Sequence, residues 1–588
     1  MNTVPPPVRA APAVILFRII CGGLLMFEAF SDNLPQAMSA EYDRPRTQPY
    51  QSRSVVIAAN GIVATSHPLA AQVGLDVLQA GGNAADAAVA ASAMIGLAEP
   101  MSCGIGGDLF VIYWDASSSK LYGLNASGRS PAKLKADVFT ERGLNDIPVY
   151  GPLAWSVPGC VDGWDQLLKK FGSRPLAKLL QPTINYAESG VPTPEVIAGY
   201  WSSSVTHLQE WPDSAATYLP GGRPPAEGEL FRNPRLAATY RQIATNGRDA
   251  FYSGPIAQKI VAFSEANGGY FSLEDFAEHR SEWVESVSVN YRGFDVWELP
   301  PNGQGIAALE MLAVLEGYDL RSFGPKSADY LHLFVEAKKL AFADRAAYYA
   351  DPAMADVPTS GLVSKEYAAR QRARIDMQKA ATNVSAGDPK LVSGDTIYLT
   401  VVDKDRNCCS FIQSNYHGFG SHVTPGDVGF VLQNRGALFA LNAPDHPNRY
   451  EPRKRPFHTI IPGFVTRDDR PWLCFGVMGG DMQPQGHVQI LVNMIDFDMN
   501  VQAAGDAARV RHLGSQTPTG EPMDSDGGWV AVESGIPQAT IEELQRRGHH
   551  VVSSPGGFGG YQAIRIDFEN GVLHGATESR KDGAAVGY

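Results

Sequence analysis

The sharpest chemical feature of the sequence is a junction. A polar stretch without hydrophobic periodicity, MQKAATNVSAGDPKLVSGD, runs over 377–395 and ends in Gly394-Asp395. A strand-like run follows at once, Thr396-Ile-Tyr-Leu-Thr-Val-Val-Asp403. A hydroxyl at such a border can attack the preceding carbonyl if the loop strains that peptide. Hydrolysis of the resulting ester leaves Thr396 with an α-amine, whose pKa of about 7.7–8.0 keeps it partly neutral near pH 7. That amine can then take the proton of the threonine hydroxyl, so nucleophile and base are one residue. Asp395 and Thr396 would flank the cleaved bond. Spacing alone equally describes an ordinary loop-to-strand join, so other residues must carry the reading.

Gly479-Gly480 follows the apolar run Trp472–Val477. Paired glycines let backbone N–H groups approach a ligand closely, and two such donors can hold a tetrahedral oxyanion. A tight turn is the plainer reading of the same pair. Other motifs are weaker. Ser117-Ser-Ser-Lys120 has serine–lysine nucleophile spacing but falls in a turn rich in serines, which favour local hydrogen bonds. Gly104-Ile-Gly-Gly107 lacks the strand–turn–helix setting of a dinucleotide site. There is no GxSxG, no HExxH and no zinc-like histidine cluster, so neither cofactor nor metal is expected. His549-His550 reads as a solvated turn.

Several elements must position these groups. Val55 to Ala64 reads as a strand. His67 to Ala80 reads as a helix stopped by Gly81-Gly82. Asn83 can cap a second helix, Ala84 to Ala98, which is apolar nearly all round and therefore buried. Leu109–Trp114 and Lys120–Leu124 form a hairpin pattern. The middle, from about 160 to 375, is mostly helical, with strands returning at Val287–Trp297. Its clearest helix is Tyr330–Tyr349, ended by Asp351-Pro352. Strands follow at Thr396–Asp403, Cys409–Gln413, Gly429–Gln433, Trp472–Val477 and Tyr561–Phe568, with helices at 486–496 and 538–547. This order suggests a layered α/β sandwich rather than a doubly wound parallel sheet.

The 588 residues are 44% hydrophobic and 19% charged, enough for a large core. A net charge of −13 argues against nucleic acid as a partner. The six cysteines show no metal-ligand spacing and read as buried thiols; Cys408 and Cys409, adjacent on a strand, should face opposite sides. Residues 1–49 stand apart as an N-terminal extension. The apolar run Ile19–Phe27 is too short to span a bilayer. It could be a signal-peptide core or part of a disordered extension. The reading of compartment stays open between cytoplasm and export, with cytoplasm favoured.

Taken together, the motifs resemble the gamma-glutamyltranspeptidase family of N-terminal nucleophile hydrolases. The residues that carry this include Gly61-Ile-Val-Ala-Thr-Ser-His-Pro68, Gly81-Gly-Asn-Ala-Ala-Asp-Ala-Ala88, Pro300-Pro-Asn-Gly-Gln-Gly305 and Glu336-Ala-Lys-Lys-Leu-Ala-Phe-Ala-Asp-Arg345. Thr396 before Val401-Val-Asp-Lys-Asp405, Lys454-Arg-Pro456, Gly479-Gly480 and Asp582-Gly-Ala-Ala-Val-Gly-Tyr588 continue the series. The resemblance implies a four-layer αββα sandwich and cleavage before Thr396. A large subunit (50–395) and a small subunit (396–588) would form one interleaved fold, with a homodimer of that unit as a further expectation. It implies Thr396 as nucleophile, Gly479 and Gly480 at the oxyanion hole, and Asn415 near the bound acyl group of a small-molecule amide.

Several positions depart from the usual family pattern. Thr396 is followed by Ile397-Tyr398 instead of Thr-His. The arginine expected to hold a glutamyl carboxylate falls on Ser127, with Arg129 two residues on. The acid expected for the glutamyl ammonium falls near Leu438, and the usual serine pair is His458-Thr459. A site that lacks the acid but carries Arg129, Arg435, Arg455, His458 and Thr459 should disfavour an ammonium and favour a carboxylate-bearing acyl group without the amine. That points to the branch holding glutaryl-type cephalosporin acylases and oxamate amidohydrolases. Arg435 and Arg455 could instead pair with acids elsewhere in the protein.

Overall fold

The structure is a computed structural model that describes residues 51–387 and 397–588. Two seven-stranded sheets form its centre. In the first, the strands lie in the order Ala584–Gly587, Ile62–Thr65, Ile397–Val402, Cys408–Ser414, Asp108–Asp115, Lys120–Ala126, Glu282–Val284. In the second, the order is Val56–Ala58, Val572–Thr577, Gly560–Asp567, Arg470–Met478, Gly463–Arg467, Phe294–Glu298, Val287–Tyr291. Every neighbouring pair in both sheets is antiparallel, as a sandwich requires and a doubly wound sheet does not.

One apolar cluster lies between the sheets. Phe110, Ile112, Tyr398 and Ile412 come from the first sheet, and Phe464, Cys474 and Ile564 from the second. Gly476 makes room for the Tyr398 ring: a Cβ at that glycine would sit 2.5 Å from it. Helices cover the outer faces. Pro68–Gln79 and Ala84–Ala98 pack on the first sheet. Gly305–Leu315, Ala328–Tyr348 and Met482–Ile495 pack on the second. The result is the four-layer αββα sandwich. Both sheets mix strands from either side of residue 396, so the two stretches of chain share one core.

Local sequence explains much of this. Asn83 accepts from the amides of Ala85 and Asp86, and Asp86 reaches back to the Asn83 amide, which closes a capping box. The helix that follows is buried on all sides. Cys408 faces the inter-sheet core and Cys409 the helical layer, as alternation on a strand demands. The five described cysteines are buried free thiols. No helix among the described residues is long and apolar enough to cross a membrane.

Some expectations were not met. Val55–Ala64 is two strands, Val56–Ala58 and Ile62–Thr65, which join different sheets; the chain crosses between layers at Ala59–Gly61. Gly429–Gln433 is not a strand. Gly429 has φ +78 and lies against the backbone at Leu236, and this left-handed kink breaks the extended run. His549 is not solvated. It is buried, and its Nε2 lies 2.8 Å from Nδ1 of His332 on the Ala328–Tyr348 helix.

Candidate active site

The site is assembled where three segments meet: the corner after the Cys408–Ser414 strand, the turn at 435–438, and the turn after the Arg470–Met478 strand. Thr396 and Asp395 lie outside the described residues. Ile397, which follows them, opens its strand in register with Gln413, so the chain enters the first sheet one position from Ser414 and two from Asn415.

Gly479 and Gly480 link the Arg470–Met478 strand to the Met482–Ile495 helix. Their φ angles are +121 and +62, a backbone that side chains rarely permit. A Cβ on Gly479 would also sit 2.9 Å from Gly559 Cα. Neither amide N–H of this pair has an acceptor among the described residues, whereas both carbonyls are used: Gly479 O accepts from Met482 N and Gly480 O from Gln483 N, each at 3.0 Å. A turn that binds its own carbonyls and presents its N–H groups is suited to an oxyanion.

Gln304 fixes this turn from behind. Its Nε2 donates to Gly480 O (3.0 Å) and Thr459 O (2.8 Å), while its Oε1 accepts from Arg345 Nη1 (2.8 Å). Arg345 also pairs with Asp481 at 3.2 Å. Thr459 in turn accepts on Oγ1 from Arg435 Nη1 at 2.7 Å, and Arg435 Nη2 donates to Ser414 Oγ at 3.0 Å. A continuous set of hydrogen bonds therefore joins the Gly480 turn to Arg435. The Arg435 guanidinium is fully buried and lies 4.6 Å from the ring centre of Tyr416, which lines a cavity of about 400 Å³ with Gly479. Asn415 is anchored through Nδ2 to Pro100 O (3.2 Å), and its buried Oδ1 has no hydrogen-bond partner among the described residues.

Asp108 supplies the nearby carboxyl group. Burial pushes its carboxyl up to about 7, against the opposing pull of Arg435 and its hydrogen-bond donors. Oδ1 accepts from Gly128 N (3.1 Å), Gly159 N (3.1 Å) and Gln433 Nε2 (2.8 Å), and Oδ2 meets His458 Nε2 at 2.9 Å. Since His458 Nδ1 accepts from the Ile460 amide, Nε2 carries the proton. Burial and then Arg435 hold His458 well below the usual histidine range, so it is a neutral donor to Asp108.

The structure thus brings Asn415, Arg435, Thr459 and Gly480 together, with His458 one step behind through Asp108. It does not bring Arg129 to them. Arg129 pairs with Asp351 (2.7 Å) and Glu282 (3.4 Å) in a separate cavity of about 310 Å³. Arg455 also pairs with Glu282, at 2.8 Å. Arg455 thus has the acidic partner that the sequence reading left open for it, and Arg129 has acidic partners as well. Leu438, at the place expected for an acid, is buried among apolar side chains. Ser117 and Ser118 bond to Asp115 in the hairpin turn, as local structure predicts.

Sequence reasoning did not pick out Asp108, Ser414, Tyr416 or Gln304. Two signals were present. Gln304 lies inside the quoted Pro300–Gly305 motif. Asp108 follows Gly106-Gly107, where a Cβ on Gly107 would sit 2.2 Å from Ser414 O, so the glycines mark a close approach to the Ser414–Asn415 corner.

The sequence model of the Gamma-glutamyltranspeptidase family matches residues 70–588. The Glutathione hydrolase-like YwrD proenzyme of Bacillus subtilis (strain 168) is 39% identical over 537 residues, covering 90% of this chain and 99% of that protein. The Acylase ACY 1 proenzyme of Pseudomonas sp. (strain SE83) is 35% identical over 569 residues, covering 93% and 97%. The crystal structure of cephalosporin acylase from Bacillus halodurans superposes with a TM-score of 0.85 at 42% identity, covering 96% and 99%. The fold and site define an N-terminal nucleophile hydrolase that acts on amide bonds and is made as a precursor. The chain belongs to the gamma-glutamyltranspeptidase family.

Proposed function

We propose that Thr396 is the nucleophile of this hydrolase, released by cleavage after Asp395, and that the enzyme favours amides of carboxylate-bearing acyl groups without an α-amine. The observation that carries the substrate preference is the setting of Arg435. It is a buried cation tied to Thr459 and Ser414, and the acid beside it, Asp108, already serves four donors. An ammonium beside Arg435 would meet a like charge and, among the described residues, only an Asp108 carboxyl already taken up by its donors, whereas a carboxylate would meet positive potential.

In the reaction, the Thr396 hydroxyl adds to the amide carbonyl as the α-amine takes its proton. The amides of Gly479 and Gly480 hold the oxyanion, an interaction type worth about 3–4 kcal/mol per donor in well-studied cases. Collapse breaks the C–N bond, the proton passes to the leaving amine, and an acyl ester on Thr396 remains. Water, activated by the same α-amine, hydrolyses the ester; an acceptor amine in its place would give transfer. A homodimer of the processed unit and a cytoplasmic site belong to the same reading; gel filtration and fractionation test them.

Hydrolysis of glutaryl-4-nitroanilide and γ-glutamyl-4-nitroanilide by the purified protein tests the preference. The glutaryl amide should give the higher kcat/KM. A clear preference for the γ-glutamyl amide would make the protein a glutathione hydrolase in the ordinary sense and remove the role given to Arg435.

A further inference from the structure

His332, Glu336 and His549 form a cluster that the amide chemistry does not use, and none of them lines the cavity beside Gly479. His332 and Glu336 stand one turn apart on the Ala328–Tyr348 helix and so share a face. His549 follows the helix Gln538–Arg546, 217 residues from His332. Its amide donates to Leu544 O at 3.1 Å, which fixes the turn that carries it. One nitrogen of each ring and one carboxylate oxygen lie within 4.8 Å of one another, and all three residues are buried.

The two rings direct lone pairs at one point. His332 Nε2 lies 2.9 Å from Asp376 O. A carbonyl only accepts, so Nε2 holds the proton and Nδ1 is bare. Such a contact to a backbone carbonyl commonly orients a metal-binding histidine. Nδ1 faces His549 Nε2 at 2.8 Å. Burial holds both rings below the usual histidine range, His549 at about 2, so both are neutral and able to ligate. With a proton on His549 Nε2 the pair is a hydrogen bond; with that proton on Nδ1, both lone pairs meet an ion.

Glu336 supplies the third donor. Its Oε1 accepts from Lys339 Nζ (2.9 Å) and its Oε2 from the Ala381 amide (3.1 Å), and a carboxylate has lone pairs beyond these two. The surrounding charge admits a cation. Lys339 and Arg547 face Glu336, Asp329 and Glu543, the last two paired with Arg547 at 2.5 and 2.8 Å. Two ligand atoms of a tetrahedral ion held at about 2.1 Å stand about 3.4 Å apart, so the rings part slightly and the carboxylate closes in.

We propose that His332, Glu336 and His549 bind a zinc-type divalent ion, with water in the fourth position. Two imidazoles and one carboxylate suit zinc, whereas calcium and magnesium take oxygen ligands. His332 and Glu336 precede residue 396 and His549 follows it, so the ion fastens the large-subunit sequence to the small-subunit sequence.

Zinc binding by the protein, purified without a polyhistidine tag and stripped with a chelator, tests the site. Calorimetry on wild type should show one strong site per chain. His332→Gln and His549→Gln should each weaken it by about 100-fold or more, since loss of a mere supporting contact already costs about 10–100-fold. The melting temperature should rise with zinc in wild type and stay level in both variants. Thr396→Ala should bind zinc as tightly as wild type, because the ligands do not depend on cleavage; a failure of cleavage therefore leaves this test intact. Undiminished affinity in the two histidine variants would put the ion elsewhere and overturn the proposal. If a variant does not fold, anomalous scattering from a wild-type crystal soaked in zinc decides. A peak among the three side chains supports the site, and the lack of one there overturns it.

Discussion

Gln304 donates to the carbonyl of Gly480 at 3.0 Å, and through that bond it fixes the Gly480–Asp481 peptide, which directly follows the Gly480 amide proposed to hold the oxyanion. The Gln304 amide cannot flip, because its oxygen accepts from Arg345 at 2.8 Å. Gln304 is therefore a positioning residue for the oxyanion turn. Gln304→Ala should lower kcat by about 10–100-fold with KM changed less, since the lost interaction matters most when charge develops. Gln304→Glu keeps the shape but points a charged acceptor at two carbonyls, and it should be no better than alanine. Steady-state kinetics on glutaryl-4-nitroanilide decides; a rise in KM alone would contradict the positioning role.

Gly480 is bound by backbone conformation as well as by contacts. At φ +62 an alanine is strained, and at Gly479 it would also meet Gly559. Gly479→Ala should fold less stably and lower kcat by about 100-fold or more. A variant with normal kcat would remove this turn from the reaction.

Arg435 should be read by a split between substrates. Arg435→Lys can reach Thr459 or Ser414 but not both with a fork. Its kcat/KM should fall by about tenfold or more on glutaryl-4-nitroanilide and by distinctly less on acetyl-4-nitroanilide. Equal losses would mean that Arg435 only supports the fold.

Asp108 predicts a pH dependence of stability. Burial raises its folded pKa to about 7, above an unfolded value of about 3.9. Between those values the folded state holds more proton than the unfolded state, so this group makes stability fall as pH rises from about 4 to about 7. The slope is at most about 1.4 kcal/mol per pH unit for one proton, and it vanishes above pH 7. Thermal midpoints of wild type and Asp108→Asn at pH 5 and pH 8 isolate the effect. The wild type should lose more stability on going to pH 8 than the variant, and parallel shifts would contradict the assignment.

How much of this was legible in the sequence follows from range. The helix Ala84–Ala98 was readable because its cap, its apolar content and its end before Pro100 are all local. The Cys408 and Cys409 faces were readable because alternation is local too. The break at Ala59–Gly61 was not, because only the pairing partners, Gly575 for Val56 and Thr400 for Ala64, reveal that the chain changes sheets. Gly429–Gln433 looked like a strand because its kink depends on a contact with Leu236 from a distant helix. At the site, Gly479, Asn415, Arg435 and Thr459 were visible through family motifs. The expected arginine fell on Ser127, with Arg129 two residues on, and such spacing says nothing about Asp351, 222 residues away, which binds Arg129.

The central claim is that Thr396 makes and then carries the active site, and the most direct test is the intact mass of purified wild type beside Thr396→Ala under denaturing conditions. Wild type should give two fragments, one ending at Asp395 and one beginning at Thr396, and the variant should give a single uncut chain. An uncut wild type, or the same two fragments in the variant, would contradict it.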